Sequence, residues 1–304
     1  MQVPLACPGC RARLEQTPQS CRCPACGAVY PVIDDIPRFV AADPFYEGRW
    51  ARPDFSRGSL RNWLVKKERF FLRRLRGQQG VLLDLGCGGG WAVFAAVGHA
   101  VGLDLSAASL AAARRIYPQA VCAGLEALPF PDESFDFVVS SDVLGHVPLG
   151  LKDRVLAEIW RVLKPGGRTL HYIEADGADP ALRFARRDPE LFKKHIIEPE
   201  GHIGLEPADR IFARFRAAGF TPLAELPVYR GLLYWGRVRQ YFDNEYRGRS
   251  FWVDRWVDLA RLFTAHRLLE LGGNVLVALA LELADRVFPA AWAGGVLVDY
   301  RKGG

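Results

Sequence analysis

The spacing of apolar positions divides the chain into recognisable elements. Val81–Leu85 is an apolar run broken only by Asp84, the pattern of a strand buried on both faces. It opens into Gly86-Cys87-Gly88-Gly89-Gly90, and a short helix follows to about Val97. A second strand, Ala100–Leu103, ends at Asp104, and a third covers Phe137–Ser140. Leu151–Leu163 carries apolar residues at 151, 155, 156, 159, 162 and 163, one face of a helix. Lys164-Pro165-Gly166-Gly167 stops it with a basic last turn, proline and glycine. Arg168–Ile173 restarts as a strand, Asp209–Ala218 reads as a helix, and Thr221–Val228 and Gly295–Tyr300 read as two more strands. Strands alternating with helices argue an α/β fold on a parallel, Rossmann-like sheet.

Composition narrows this picture. The chain has 304 residues, half of them apolar and 24% charged, which excludes intrinsic disorder. Net charge is +6, and it is concentrated: between Arg61 and Arg76 stand seven bases (Arg61, Lys66, Lys67, Arg69, Arg73, Arg74, Arg76) and one acid, Glu68. This segment reads as a helix with Leu60, Trp63, Leu64, Phe71 and Leu75 inward and its bases outward. No signal peptide is visible at the N-terminus. The apolar stretches Leu271–Leu281 and Val287–Val298 are each short of the ~20 residues a bilayer needs. A cytoplasmic protein without a transmembrane segment is expected.

Cys7-Pro-Gly-Cys10 and Cys23-Pro-Ala-Cys26 are paired C-x-x-C turns, and Zn2+ prefers four tetrahedral thiolates presented this way. Cys21 is a spare. So small a unit cannot build a sufficient core, so the metal supplies most of its folding energy. The continuation Cys26-Gly27, Tyr30-Pro31-Val32, Asp34 and Ile36-Pro37 resembles the zinc-ribbon proteins that activate tRNA and protein methyltransferases, with Asp35 where glycine is usual. The resemblance implies a docking module, open to a protein partner.

A glycine turn followed by an acid at the next strand's end is a layout for holding a nucleoside. The dinucleotide fingerprint would put Trp91 at its third glycine. Asp84-x-Gly86-x-Gly88-x-Gly90 instead resembles the first motif of class I S-adenosylmethionine-dependent methyltransferases. Leu128-Pro129-Phe130-Pro131-Asp132, Ser140 to Val147 and Glu158 to Gly167 look, in order and spacing, like the quinone-biosynthesis type of that domain. The resemblance implies S-adenosylmethionine as cofactor. It puts Asp84, Gly86, Gly88 and Gly90 around the methionine part, Asp104 on the ribose hydroxyls and Leu105 on adenine, with Leu125, Glu126 and Ser141 lining the same site. One departure stands out: where the family has an acid for the adenine amino group, this chain has Gly124, and Glu126 or a backbone carbonyl would have to substitute. His146 and His202 are the candidates for a general base, with Asp142 and Glu174 as polar partners. His99, His171 and His266 read as structural. His195 shares a polar stretch with His202, Glu198 and Glu200.

These readings divide the chain into a zinc ribbon (1–40), a linker and basic helix (41–77), a methyltransferase core (78–228 and 294–304) and a helical insertion or lid (229–293). Between Tyr229 and Trp256 stand nine aromatics and six arginines. Tyr234, Trp235, Val238 and Phe242 fall at helical spacing, which favours core packing and a pocket lid over base stacking. Asn274–Phe288, apolar on several faces, implies deep burial or an apolar channel. The expected activity is methyl transfer to a small, lipid-like or carrier- or sugar-linked acceptor. The alternatives are an rRNA or tRNA methyltransferase, whose phosphates the basic helix would grip, and a non-catalytic binding protein that keeps the fold.

Overall fold

The computed structural model describes residues 2–41, 43–56, 64–199, 201–230, 237–264 and 267–303. The N-terminal part is a small antiparallel sheet of β1 (Glu15–Gln16), β2 (Ser20–Arg22), β3 (Val29–Ile33) and β4 (Ile36–Pro37). Asp34 and Asp35 turn β3 into β4 with φ of 54° and 57°, the left-handed pair a two-residue hairpin requires. Aspartate tolerates that conformation, so the missing glycine does not disrupt the turn.

The main sheet has seven strands: β5 (Gly80–Leu85), β6 (Gly98–Asp104), β7 (Gln119–Cys122), β8 (Phe135–Ser141), β9 (Leu163–Glu174), β10 (Thr221–Arg230) and β11 (Ala293–Arg301). Their order is β10-β11-β9-β8-β5-β6-β7. β5 pairs in parallel with β6 on one side and with β8 on the other, while β11 runs antiparallel to both neighbours. Helices α1 (Lys66–Leu75), α2 (Ala92–Ala95), α3 (Ala107–Ala113), α4 (Lys152–Val162), α5 (Pro180–Ala185), α6 (Pro189–Phe192) and α7 (Ala208–Ala217) complete the core. Each long strand expected from an apolar run is present, and the central ones are buried along almost their whole length. The strand order reverses beside β5, so a crevice opens at the carboxyl ends of β5 and β8, where open α/β sheets bind ligands.

The ribbon is docked on the core rather than tethered to it. Val3 exchanges two hydrogen bonds with the buried Gln119 side chain, at 2.8 and 2.9 Å. Arg38 bridges Cys122 in parallel, covering the sheet's edge strand β7. Val3, Leu5 and Leu14 belong to the same apolar cluster as the central strands.

Two expectations fail here. Arg73 of α1 is exposed as expected, but the other four bases are turned to carboxylates rather than to solvent. Lys66 pairs with Asp285 at 2.5 Å, Arg69 with Glu282, Lys67 with Asp142, and Arg74 with the fully buried Asp299. Phe71 and Leu75 are buried as the apolar spacing required, Leu64 is half-buried, Phe70 is buried although the spacing did not place it inward, and Leu60 and Trp63 lie outside the described residues. The positive surplus of this segment thus meets carboxylates that are distant in sequence but adjacent in space. The insertion comprises α8 (Arg237–Tyr246), α9 (Phe251–Thr264) and α10 (Arg267–Val287). Among its described side chains α10 is not deeply buried: Ala284 is buried, but Leu276, Leu279, Leu283 and Val287 are each more than 60% exposed. Its acids Glu282 and Asp285 hold it to α1 while the apolar stripe stays outside. Tyr234, Trp235 and the side chain of Val238 lie outside the described residues. The described aromatics Tyr241, Phe242 and Tyr246 pack on Leu182, Leu191 and Phe192 in a small satellite core.

Asp299 also receives Arg168 at 3.1 and 2.5 Å, so one buried carboxylate offsets two guanidinium groups. Asp299→Ala is expected to lower stability by about 3 kcal/mol, because it leaves uncompensated charge inside. Urea unfolding at neutral pH measures this, and a loss below about 1 kcal/mol would contradict it.

Candidate functional site

The crevice at the ends of β5 and β8 opens into a cavity of about 1250 Å³. Every residue assigned to cofactor or acceptor lines it: Asp84, Gly86, Gly88, Gly90, Asp104, Leu105, Leu125, Glu126, Ser141, His146 and His202, with Asp142 and Glu174 beside them.

The glycine turn after β5 holds Gly86, Gly88 and Gly90 at φ of 61°, 50° and 81°, conformations other residues rarely adopt. A Cβ on Gly86 would stand 2.5 Å from a Val143 methyl, and one on Gly89 2.3 Å from the Arg52 backbone. Asp104 ends β6 with both oxygens oriented: Oδ2 accepts from the Gly88 amide and Oδ1 from the Ser106 amide, each at 2.8 Å. Burial raises its pKa. Asp84 lies beneath the turn, where the Tyr117 hydroxyl donates to it at 2.7 Å. Burial, together with the nearby Asp104 charge, pushes Asp84 up to about 8 despite that hydrogen bond.

Sequence reasoning assigned 41–77 to linker and basic helix, and so missed a strap. Trp50 accepts from the Gly89 amide at 2.8 Å, and Asp54 exchanges backbone hydrogen bonds with Gly90 and Ala92 at 2.9 and 2.8 Å. The Glu47 carboxylate caps α3 through the Ala107 and Ala108 amides, at 3.1 and 2.9 Å. The signal was the aromatic content of Phe45-Tyr46-Glu47-Gly48-Arg49-Trp50 in a stretch that otherwise reads as linker. Tyr117 gave no signal, because its partner Asp84 is 33 residues away.

The Gly124 departure has a structural counterpart. A Cβ on Gly124 would meet both carboxylate oxygens of Glu126 at 2.8 Å. The Glu126 carboxylate therefore fills the space that a side chain at position 124 would enter. An acid thus still lines the cavity here, supplied from two residues on.

On the cavity wall, His146 closes a single turn, Leu144–His146, after β8. His202 arrives from the segment after α6, and their rings stand 4.7 Å apart. Glu174, the last residue of β9, lies 3.4 Å from His202 Nε2. Burial raises the Glu174 pKa, and Asp142 adds to this while His202 opposes it. Lys67 reaches this group, bound to Asp142 and 4.9 Å from the Tyr172 ring centre. His171 is buried between Ser140 and Thr169, and burial lowers its pKa to about 3. His195 binds Glu245 of α8 at 2.5 Å, away from the cavity. His99 is in β6, while Glu200 and His266 lie outside the described residues.

In the ribbon, Cys7, Cys10, Cys23 and Cys26 gather with all four sulfurs within 4.8 Å of one another. The Cys7–Cys26 and Cys10–Cys23 separations are 3.7 and 3.3 Å. Four thiolates about 2.3 Å from one zinc stand roughly 3.8 Å apart, so the set fits that ion. Cys21 is buried outside it.

Residues 83–171 match the methyltransferase domain family. The chain is 31% identical over 173 residues to 24-methylenesterol C-methyltransferase 2 of Oryza sativa subsp. japonica, covering 52% of this chain and 46% of that protein. It is 36% identical over 118 residues to demethylmenaquinone methyltransferase of Listeria welshimeri, covering 34% and 49%. The chain thus spans about half the length of these relatives. Among solved structures, it is similar to phosphoethanolamine N-methyltransferase 2 of Haemonchus contortus in complex with S-adenosylmethionine, at 20% identity and a TM-score of 0.49, covering 81% of this chain and 53% of that one. The match to the methyltransferase domain family therefore falls on the part of the sheet that carries the glycine turn. Among the described residues, no helix is long and apolar enough to cross a membrane.

Proposed function

We propose that the protein transfers a methyl group from S-adenosylmethionine to a small, lipid-like acceptor. The observation that carries this reading is one continuous cavity lined both by the glycine turn and Asp104 and by His146, His202 and Glu174. When bound, S-adenosylmethionine supplies an electrophilic methyl group on a cationic sulfur. The chain's part is alignment, which contributes much of the rate of a displacement, and deprotonation of the acceptor at the histidines. The relatives named for a methylenesterol and a demethylmenaquinone support an apolar acceptor, as do the aromatics Tyr46, Trp50, Phe71, Trp91 and Phe94 in the lining.

The RNA reading loses its main support, because Lys66, Lys67, Arg69 and Arg74 are engaged by carboxylates. Phosphate binding needs cations free to displace counterions. The ribbon reads as a built-in counterpart of a separate activator, covering the edge strand within one chain. Incubation with labelled methyl donor and a fractionated lysate tests the proposal: label is expected in the lipid or small-molecule fraction. Label in RNA would refute it, as would an absence of any transfer by protein that binds the donor.

Two further outcomes follow from the site. Glu126→Ala is expected to weaken S-adenosylhomocysteine binding about tenfold, the scale of one charge-assisted hydrogen bond. Adding Gly124→Asp to that variant should recover most of the loss, and titration calorimetry of the pair decides it.

The raised Asp84 pKa makes binding proton-linked. Between the ordinary carboxylate value of 3.8 and about 8 the folded protein keeps a proton that the unfolded chain gives up, so this group makes stability fall as pH rises through that window. A cationic ligand beside Asp84 favours its ionised form. Donor binding at pH 7 is therefore expected to release a proton and to tighten as the pH approaches 8. Calorimetry in buffers of different ionisation heats measures the release, and Asp84→Asn should abolish it.

A further inference from the structure

The part of the cavity wall that carries the histidines has the composition of a metal centre distinct from the ribbon. One ring nitrogen each of His146 and His202 and a carboxylate oxygen of Glu174 lie within 4.8 Å of one another. Ligands about 2.1 Å from a common ion stand roughly 3–3.5 Å apart, a spacing somewhat tighter than the 4.8 Å within which these three atoms lie.

Two details favour an ion over a hydrogen-bonded triad. His146 Nδ1 stands 3.2 Å from the Gly201 carbonyl, which can only accept, so in that hydrogen bond Nδ1 carries the proton. A backbone carbonyl holding the second ring nitrogen is the usual support for a metal-binding histidine. Glu174 is only 9% exposed, and its Oε2 is buried with no hydrogen-bond partner. An orphaned carboxylate oxygen inside a protein is costly, and a cation beside it removes that cost. The second carboxylate nearby, Asp142, adds negative potential that Lys67 only partly offsets.

We propose that His146, Glu174 and His202 bind a divalent transition-metal ion whose remaining positions face the cavity and take an oxygen of the methyl acceptor. Two imidazoles and one carboxylate suit Zn2+, Fe2+ or Co2+ rather than Mg2+ or Ca2+. The acceptor class is then a hydroxyl, enol or phenol: coordination lowers its pKa, its proton leaves to solvent, and the resulting oxyanion is held in the cavity for methyl transfer. The acceptor half of this inference rests on the methyltransferase reading above, whereas metal binding does not.

Co2+ is the probe, because thiolate and nitrogen–oxygen sites differ in their absorption spectra. Apo-protein of the full chain is expected to take two equivalents, one with the sulfur-to-metal charge-transfer band of the ribbon and one without it. His202→Ala and Glu174→Gln should each take only one, keep the thiolate band and still bind S-adenosylmethionine, which shows that they are folded. Wild-type protein taking only the thiolate equivalent, or variants taking two, would overturn the site. Once label transfer is established, unchanged transfer after loss of the second equivalent would overturn its role in holding the acceptor. Unimpaired Co2+ binding with no methyl transfer to any fraction would instead count against the enzymatic reading alone.

Discussion

Replacing Asp104 with alanine is expected to raise the Kd for S-adenosylmethionine at least 100-fold while leaving the protein folded. Asp104 is placed by two backbone amides, at 2.8 Å each, which orient both oxygens toward the part of the cavity that would receive the ribose. Hydrogen bonds to a charged group contribute about 1.5–3 kcal/mol each, so losing two ribose hydroxyls costs roughly 3–6 kcal/mol, or two to four decades in affinity. The substitution also releases the Gly88 amide and so loosens the glycine turn. Asp104→Asn should fall between wild type and alanine, since its amide keeps one acceptor. Calorimetry gives the affinities and circular dichroism the fold. An alanine variant that binds within threefold of wild type would remove the basis for placing the nucleoside here.

If the four-cysteine set of the ribbon holds the zinc its geometry fits, loss of that ion is expected to be the largest single blow to stability. The four-sulfur set holds together a unit whose sheet has strands of two to five residues, too little to fold alone. Structural zinc contributes of the order of 10 kcal/mol to such units. Here the effect spreads, because Val3, Leu5 and Leu14 share the core's apolar cluster and Arg11 of the ribbon binds Glu158 of α4 at 3.0 Å. Even half that energy, at about 2–4 °C per kcal/mol for a chain of this size, lowers the melting temperature by roughly 10–20 °C. Cys10→Ser should reproduce the effect of a chelator, whereas Cys21→Ser should keep the metal. Scanning calorimetry with metal analysis distinguishes them. A Cys10→Ser melting temperature within 3 °C of wild type would show that the ribbon does not depend on the ion.

How much was legible depended on range. Val81–Leu85, Leu151–Leu163 and Gly295–Tyr300 were readable because burial imposes its period on neighbouring residues: the two strands lie within β5 and β11, and the helix spans Lys152–Val162. The bases of 61–76 were misread for the complementary reason. A run of positive charge looks solvated until its partners are known, and Asp285 and Asp299 lie more than 200 residues from Lys66 and Arg74. The apolar α10 was misread likewise: its hydropathy resembles that of a buried helix, yet Leu276, Leu279, Leu283 and Val287 are exposed while Glu282 and Asp285 pair with α1.

Local pattern therefore determined the elements, the glycine turn, the strand-end acid Asp104 and the paired cysteine knuckles, since each is written within a few consecutive residues whose spacing states its geometry. Only the tertiary structure decided what meets at the cavity. His146, Glu174 and His202 come from three separate segments, the strap crosses the glycine turn, and Glu126 fills the space beside Gly124. Such meetings depend on how the strands are ordered in the sheet, and no local period records that order.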